Sequence, residues 1–101
     1  MCAFDSSVQS AHVLTQDARG LYRRFQCGGN RMALIAAMRK VNSAMCELRF
    51  AGYSLQHSGE MSSARTRVYY YTLKARECEL YELYDVVSNQ LTPTERLKTA
   101  H

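Results

Sequence analysis

The chain has 101 residues, 47% of them hydrophobic and 22% charged, a composition that fits one globular domain and excludes an intrinsically disordered chain. No apolar run approaches the roughly 18 residues needed to span a bilayer, and the N-terminal MCAFDSSVQS has neither a basic n-region nor an apolar h-region, so a cytoplasmic protein with no membrane partner is expected. The net charge of +4 hides an asymmetry: between Arg19 and Arg76 eleven Lys or Arg stand against Glu47 and Glu60, whereas from Glu77 onward five acids meet only Arg96 and Lys98. A concentrated basic segment favours polyanions, nucleic acid first.

Residues 1–13 read as an N-terminal arm. In LTQDARGLYRRFQCGG, Leu14, Ala18, Leu21, Tyr22 and Phe25 recur at helical spacing, Thr15 can cap the start and Gly28-Gly29 ends the element. Asn30 then caps a short second helix, RMALIAAM, with Met32, Ile35 and either Leu34 or Met38 inward. After Arg39-Lys40 comes a third helix, VNSAMCELRFAG, capped by Asn42 or Ser43, with Val41, Met45, Leu48 and Ala51 or Gly52 as its narrow apolar stripe. Beyond Gly52 the period changes to two. Tyr53-Ser54-Leu55-Gln56 opens a strand, and RVYYYTLK, rich in aromatic and β-branched residues, forms its partner with Leu55, Tyr71 and Leu73 inward. The polar link HSGEMSSARTR reads as a hairpin tip. Last, ECELYELYDVVSNQL spaces Leu80, Leu83, Tyr84, Val87 and Leu91 as the stripe of an amphipathic helix halted before Pro93.

Three helices, a basic hairpin and a final helix give an α+β fold, a winged helix-turn-helix with an extra C-terminal helix. The domain occupies 14–76, the amphipathic helix 77–92 and a tail 93–101. Ser43, Met45, Glu47, Leu48, Arg49, Gly52, Tyr53, Leu55, Tyr71 and Leu73 match a run of the type S-R-I-x-E-L-R-x-x-G-Y-x-I followed by a hairpin ending in Y-x-L. Over about a third of its length the chain thus resembles the small winged helix-turn-helix proteins of bacteriophages and prophages. The resemblance implies a sequence-specific double-stranded DNA-binding protein in the bacterial host cytoplasm, a transcriptional regulator or an excision-type architectural factor. Ala44 stands where that family often has Arg, and Phe50 where it usually has a polar residue. Those two departures favour the alternative, an interaction protein that binds and inhibits an acidic host protein.

The DNA-contact candidates are Arg39, Lys40, Asn42, Ser43, Cys46, Arg49, Arg65 and Arg67. Asn42 and Ser43 are suited to base edges at the head of the third helix, and Arg39, Lys40, Arg65 and Arg67 to phosphates. Leu80, Leu83, Tyr84, Val87 and Leu91 are the candidate homodimer surface, or else they fold back onto the first helix. No enzyme, cofactor or metal is expected. His12, His57 and His101 have no fixed relation to a nucleophile, Gly28-Gly29 lacks the Lys-Ser/Thr of a phosphate loop, and Cys2, Cys27, Cys46 and Cys78 contain no CxxC pair.

Overall fold

The computed structural model describes residues 3–56 and 64–99. They form four helices: α1 (Ala3–Gly28), α2 (Arg31–Gln56), α3 (Ala64–Gln90) and the short α4 (Pro93–Thr99). Behind the long helices stands a seven-residue repeat. Phe4, Ala11, Ala18 and Phe25 recur at every seventh position of α1; Leu34, Val41, Leu48 and Leu55 do so on α2, interleaved with Ala37, Ala44 and Ala51; Thr66, Leu73, Leu80 and Val87 do so on α3. All of these except Phe25, which is half-buried, are buried. A repeat averaging 3.5 residues keeps one stripe of each helix facing its neighbours along the whole length, as in coiled-coil packing. Each large side chain so buried stabilises the bundle by roughly 1.5–3 kcal/mol.

The repeat overturns the α+β expectation: among the described residues the chain is all-α, with no strand. Residues 31–56, expected as two helices and the start of a strand, are one helix, because Leu34 to Leu55 never miss a turn of the repeat. Gly52 ends nothing. Its backbone is helical, and a Cβ there would lie 3.4 Å from Leu73 Cδ2, so its smallness serves the approach of α3. In RVYYYTLK, β-propensity yields to packing, since Thr66 and Leu73 stand in step with Leu80 and Val87 further along α3. The winged domain assigned to 14–76 therefore has neither a separate recognition helix nor a wing among the described residues. Residues 57–63 of the expected hairpin tip lie outside them, as do Cys2, His57 and His101.

The caps behave more as the sequence indicates. Gly29 closes α1 with φ 69°, its N–H donating to the Phe25 carbonyl at 2.7 Å. Asn30 Oδ1 accepts from the N–H groups of Met32 and Ala33 at 3.0 and 3.3 Å, starting α2. Thr15, expected as a cap, lies within α1 and donates its hydroxyl to the Ala11 carbonyl at 2.7 Å. Asn42 and Ser43 likewise lie inside α2 rather than at its start, and residues 3–13 form the first turns of α1.

One buried cluster joins Phe4 and Ala11 of α1 to Leu48 and Leu55 of α2 and Leu73 and Leu80 of α3. The other joins Leu34, Ile35, Ala37 and Met38 to Val87 and Leu91, with Leu21 and Phe25 packed against it. The start of α1 thus meets the end of α2 and the start of α3, an up-down-up arrangement. Leu80, Val87 and Leu91 are buried inside these clusters, with Leu83 and Tyr84 packed against both, so the chain itself covers most of the stripe that raised the dimer question. No helix among the described residues is long and apolar enough to cross a membrane.

Candidate binding groove along the α2/α3 seam

Asn42, Cys46 and Arg49 are spaced i, i+4 and i+7 on α2, which places them on one face one turn apart. That face, together with α3 and α4, encloses a cavity of about 320 Å³ lined by Met38, Asn42, Met45, Cys46, Arg49, Tyr84, Ser88, Arg96 and Thr99. Among the described residues two guanidinium groups line it and no carboxylate does. Arg96 donates to the Ser88 carbonyl at 3.0 Å, which fixes its head group at the rim, and Arg49 is exposed on the opposite wall.

The α4 wall is fastened at several points. Thr92 and Glu95 form a capping box: the Thr92 N–H donates to Glu95 Oε1 at 2.9 Å, and the Glu95 N–H donates to Thr92 Oγ1 at 3.2 Å. Arg31, at the start of α2, pairs with both oxygens of Glu95 and donates to the Gln90 carbonyl at 3.0 Å. Asn42 Nδ2 donates to the Thr99 carbonyl at 2.8 Å. The Arg31 hydrogen bond, followed by the Thr92 N–H, holds the Glu95 carboxyl down at about 2, against the usual 4.5.

A smaller hollow continues along the seam. It shares Met45 and Arg49 with the first cavity and adds Leu48, Glu77, Leu80 and Tyr81. Lys74 pairs with Glu77 at 3.3 Å and lies 5.5 Å from the centre of the Tyr70 ring. The hydrogen bond to Glu77 is the main reason the ammonium of Lys74 is raised above its ordinary range. Tyr53 follows Arg49 by one turn of α2. The two hollows therefore run from Arg96 and Ser88, past Arg49, to Tyr81 and Glu77, with Lys74 and Tyr70 next along α3 and Tyr53 next along α2. Tyr53 is 62% exposed, Tyr81 51% and Phe50, on the adjoining outer face of α2, 57%.

The remaining candidates are dispersed. Arg39 is exposed on α2; Lys40 lines a separate cleft between α1 and α2 with Gln16, Asp17, Gly20, Leu21 and Arg24. Ser43 is half-buried. Arg65 and Arg67 stand in the first turn of α3, Arg65 Nε donating to Tyr69 Oη at 3.0 Å. Arg19 and Arg76 converge on Glu79 at 2.6 and 3.3 Å, and the Arg19 hydrogen bond above all holds the Glu79 carboxyl below its usual range. Among the described residues, no cluster of three His, Cys, Asp or Glu could hold a metal ion.

The sequence reading singled out Asn42, Cys46 and Arg49 but missed Arg96, Ser88 and Thr99 as their neighbours. The Thr92–Glu95 spacing just before a short run ending in Arg96 and Lys98 carried the signal of a fourth helix, and the seven-residue repeat carried the register that brings it to α2. The chain matches no protein-family model, and no curated protein and no solved structure matches it either.

Proposed function

We propose that the chain is a non-enzymatic binding module that takes an acidic segment of a partner protein along the α2/α3 seam. The observation that carries this reading is a groove whose walls supply Arg49 and Arg96 with no carboxylate among the described residues that line the cavity, continued by a hollow at Glu77 and Tyr81, with Tyr53 and Tyr70 exposed on the same helices. Tyrosine and arginine on a partly apolar wall are the side chains most often found at the energetic centre of protein interfaces. A trough between two packed helices can take an extended or helical segment laid along it. Exposed free thiols at Cys27, Cys46 and Cys78 support a reducing, cytoplasmic setting.

The test is selection from a randomised 15-residue peptide library with the full chain and with Arg49→Glu, beside retardation of a 20-base-pair duplex. Enrichment of Asp and Glu by the full chain, lost or inverted with Arg49→Glu, is the expected result. Duplex retardation with a steep salt dependence, with no acidic enrichment, would replace this reading with DNA binding.

A further inference from the structure

Within that groove, we infer that the cavity between α2, α3 and α4 is an oxyanion subsite, which takes one carboxylate or phosphate group from the bound segment. The inference deepens the reading above and rests on it for the source of the anion. Its chemistry comes from the walls. Arg49 and Arg96 approach from different helices, so an anion between them gains charge-assisted hydrogen bonds from two directions. Arg96 spends one N–H on the Ser88 carbonyl, which orients the guanidinium and leaves further N–H groups for a ligand. Asn42 is held similarly through the Thr99 carbonyl, and the hydroxyl of Ser88 adds a donor. Met38 and Met45 form an apolar floor that lowers the local dielectric and strengthens those bonds.

The site is composite. α4 supplies Arg96 and Thr99, and α4 is itself kept in place by Arg31 gripping Glu95. A ligand that binds Arg96 therefore also favours the docked α4, as any ligand favours the state that binds it.

The experiment is ¹⁵N-detected titration of the full chain with inorganic phosphate and, separately, with acetate. Arginine Nε resonances and the Asn42 side-chain amide serve as reporters. The expected result is saturable shifts confined to Arg49, Arg96, Asn42, Ser88 and Thr99. Arg49→Gln and Arg96→Gln should each weaken binding about tenfold. Arg39→Gln, on the exposed face outside the cavity, should change nothing. Tighter saturation by phosphate assigns a phosphate monoester as the natural group, and equal or tighter saturation by acetate assigns a carboxylate. Shifts that never saturate, or that spread equally over Arg23, Arg24 and Arg39, overturn the subsite. Peptide enrichment without anion saturation likewise overturns the subsite alone, whereas anion saturation without peptide enrichment upholds it and overturns the acidic-segment reading.

Discussion

The two seams of α2 are built differently. Toward α1, α2 presents Ala37, Ala44 and Ala51, and α1 answers with Ala11 and Ala18, every one of them 2% exposed or less. Small side chains at every second layer let two helix backbones approach closely and leave little room between them. Toward α3 the facing side chains are Met45, Leu48, Leu80, Tyr81 and Tyr84, long and unequal in shape, and hollows remain that polar head groups rim. One helix thus joins a close-packed seam to an open one. The division follows from side-chain volume: the alanine layers close the buried line between α1 and α2, so that the cleft at Gln16, Gly20 and Lys40 is lined by exposed and half-buried residues, whereas the unequal large residues leave hollows against buried Met38, Leu48 and Leu80.

The largest effect should come from the shared core. Leu34 is fully buried, and Leu34→Ala should lower unfolding free energy by about 2–5 kcal/mol, measured by urea denaturation. The contrast between seams is tested next. Ala44→Leu forces a large side chain between two close backbones and should cost about 1–3 kcal/mol or more, while Met45→Leu on the open seam should cost less than about 1.5 kcal/mol. Equal losses at 44 and 45 would mean that the seams do not differ in packing.

Legibility in the sequence divides along the same line. The caps at Gly29 and Asn30 were readable, because a left-handed glycine and an amide side chain act on backbone groups two or three residues away. So was the stripe on the second half of α3. The continuity of α2 was not read, because Arg39-Lys40, Asn42-Ser43 and Gly52 each look like local punctuation. Only the seven-residue repeat from Leu34 to Leu55 overrules them. The tyrosines at 69–71 misled for a related reason: their β-propensity is local, whereas the register of Thr66, Leu73 and Leu80 is set by the partner helices. Asn42, Cys46 and Arg49 were picked for a recognition helix and meet in a cavity instead. Their shared helical face was legible; the wall that α4 supplies was not, since it depends on how the chain turns at Thr92.

A gentler perturbation separates α4 from the rest of the bundle. Folding lowers the Glu95 carboxyl from 4.5 to about 2. A depressed carboxyl contributes stability that is fully present above pH 4.5 and is lost as pH falls toward 2. In that window the Asn42 side-chain amide should lose its protection from exchange before the amides of α1 do, and Glu95→Gln should produce the same loss at neutral pH. Simultaneous loss throughout the chain would show that α4 is no separate unit. The smallest effect belongs to the half-exposed Arg19–Glu79 pair between α1 and α3: Arg19→Gln should change unfolding free energy by no more than roughly 0.2–1 kcal/mol.

The division of labour within the bundle is tested most directly by hydrogen exchange on the full chain with and without the tightest acidic peptide recovered from the library. Binding along the open seam predicts added protection in Met45–Tyr53, in Tyr81–Ser88 and in α4, with α1 unchanged. Protection centred instead on Gln16–Arg24 and Lys40, at the α1/α2 cleft, would contradict it and move the binding surface to that cleft.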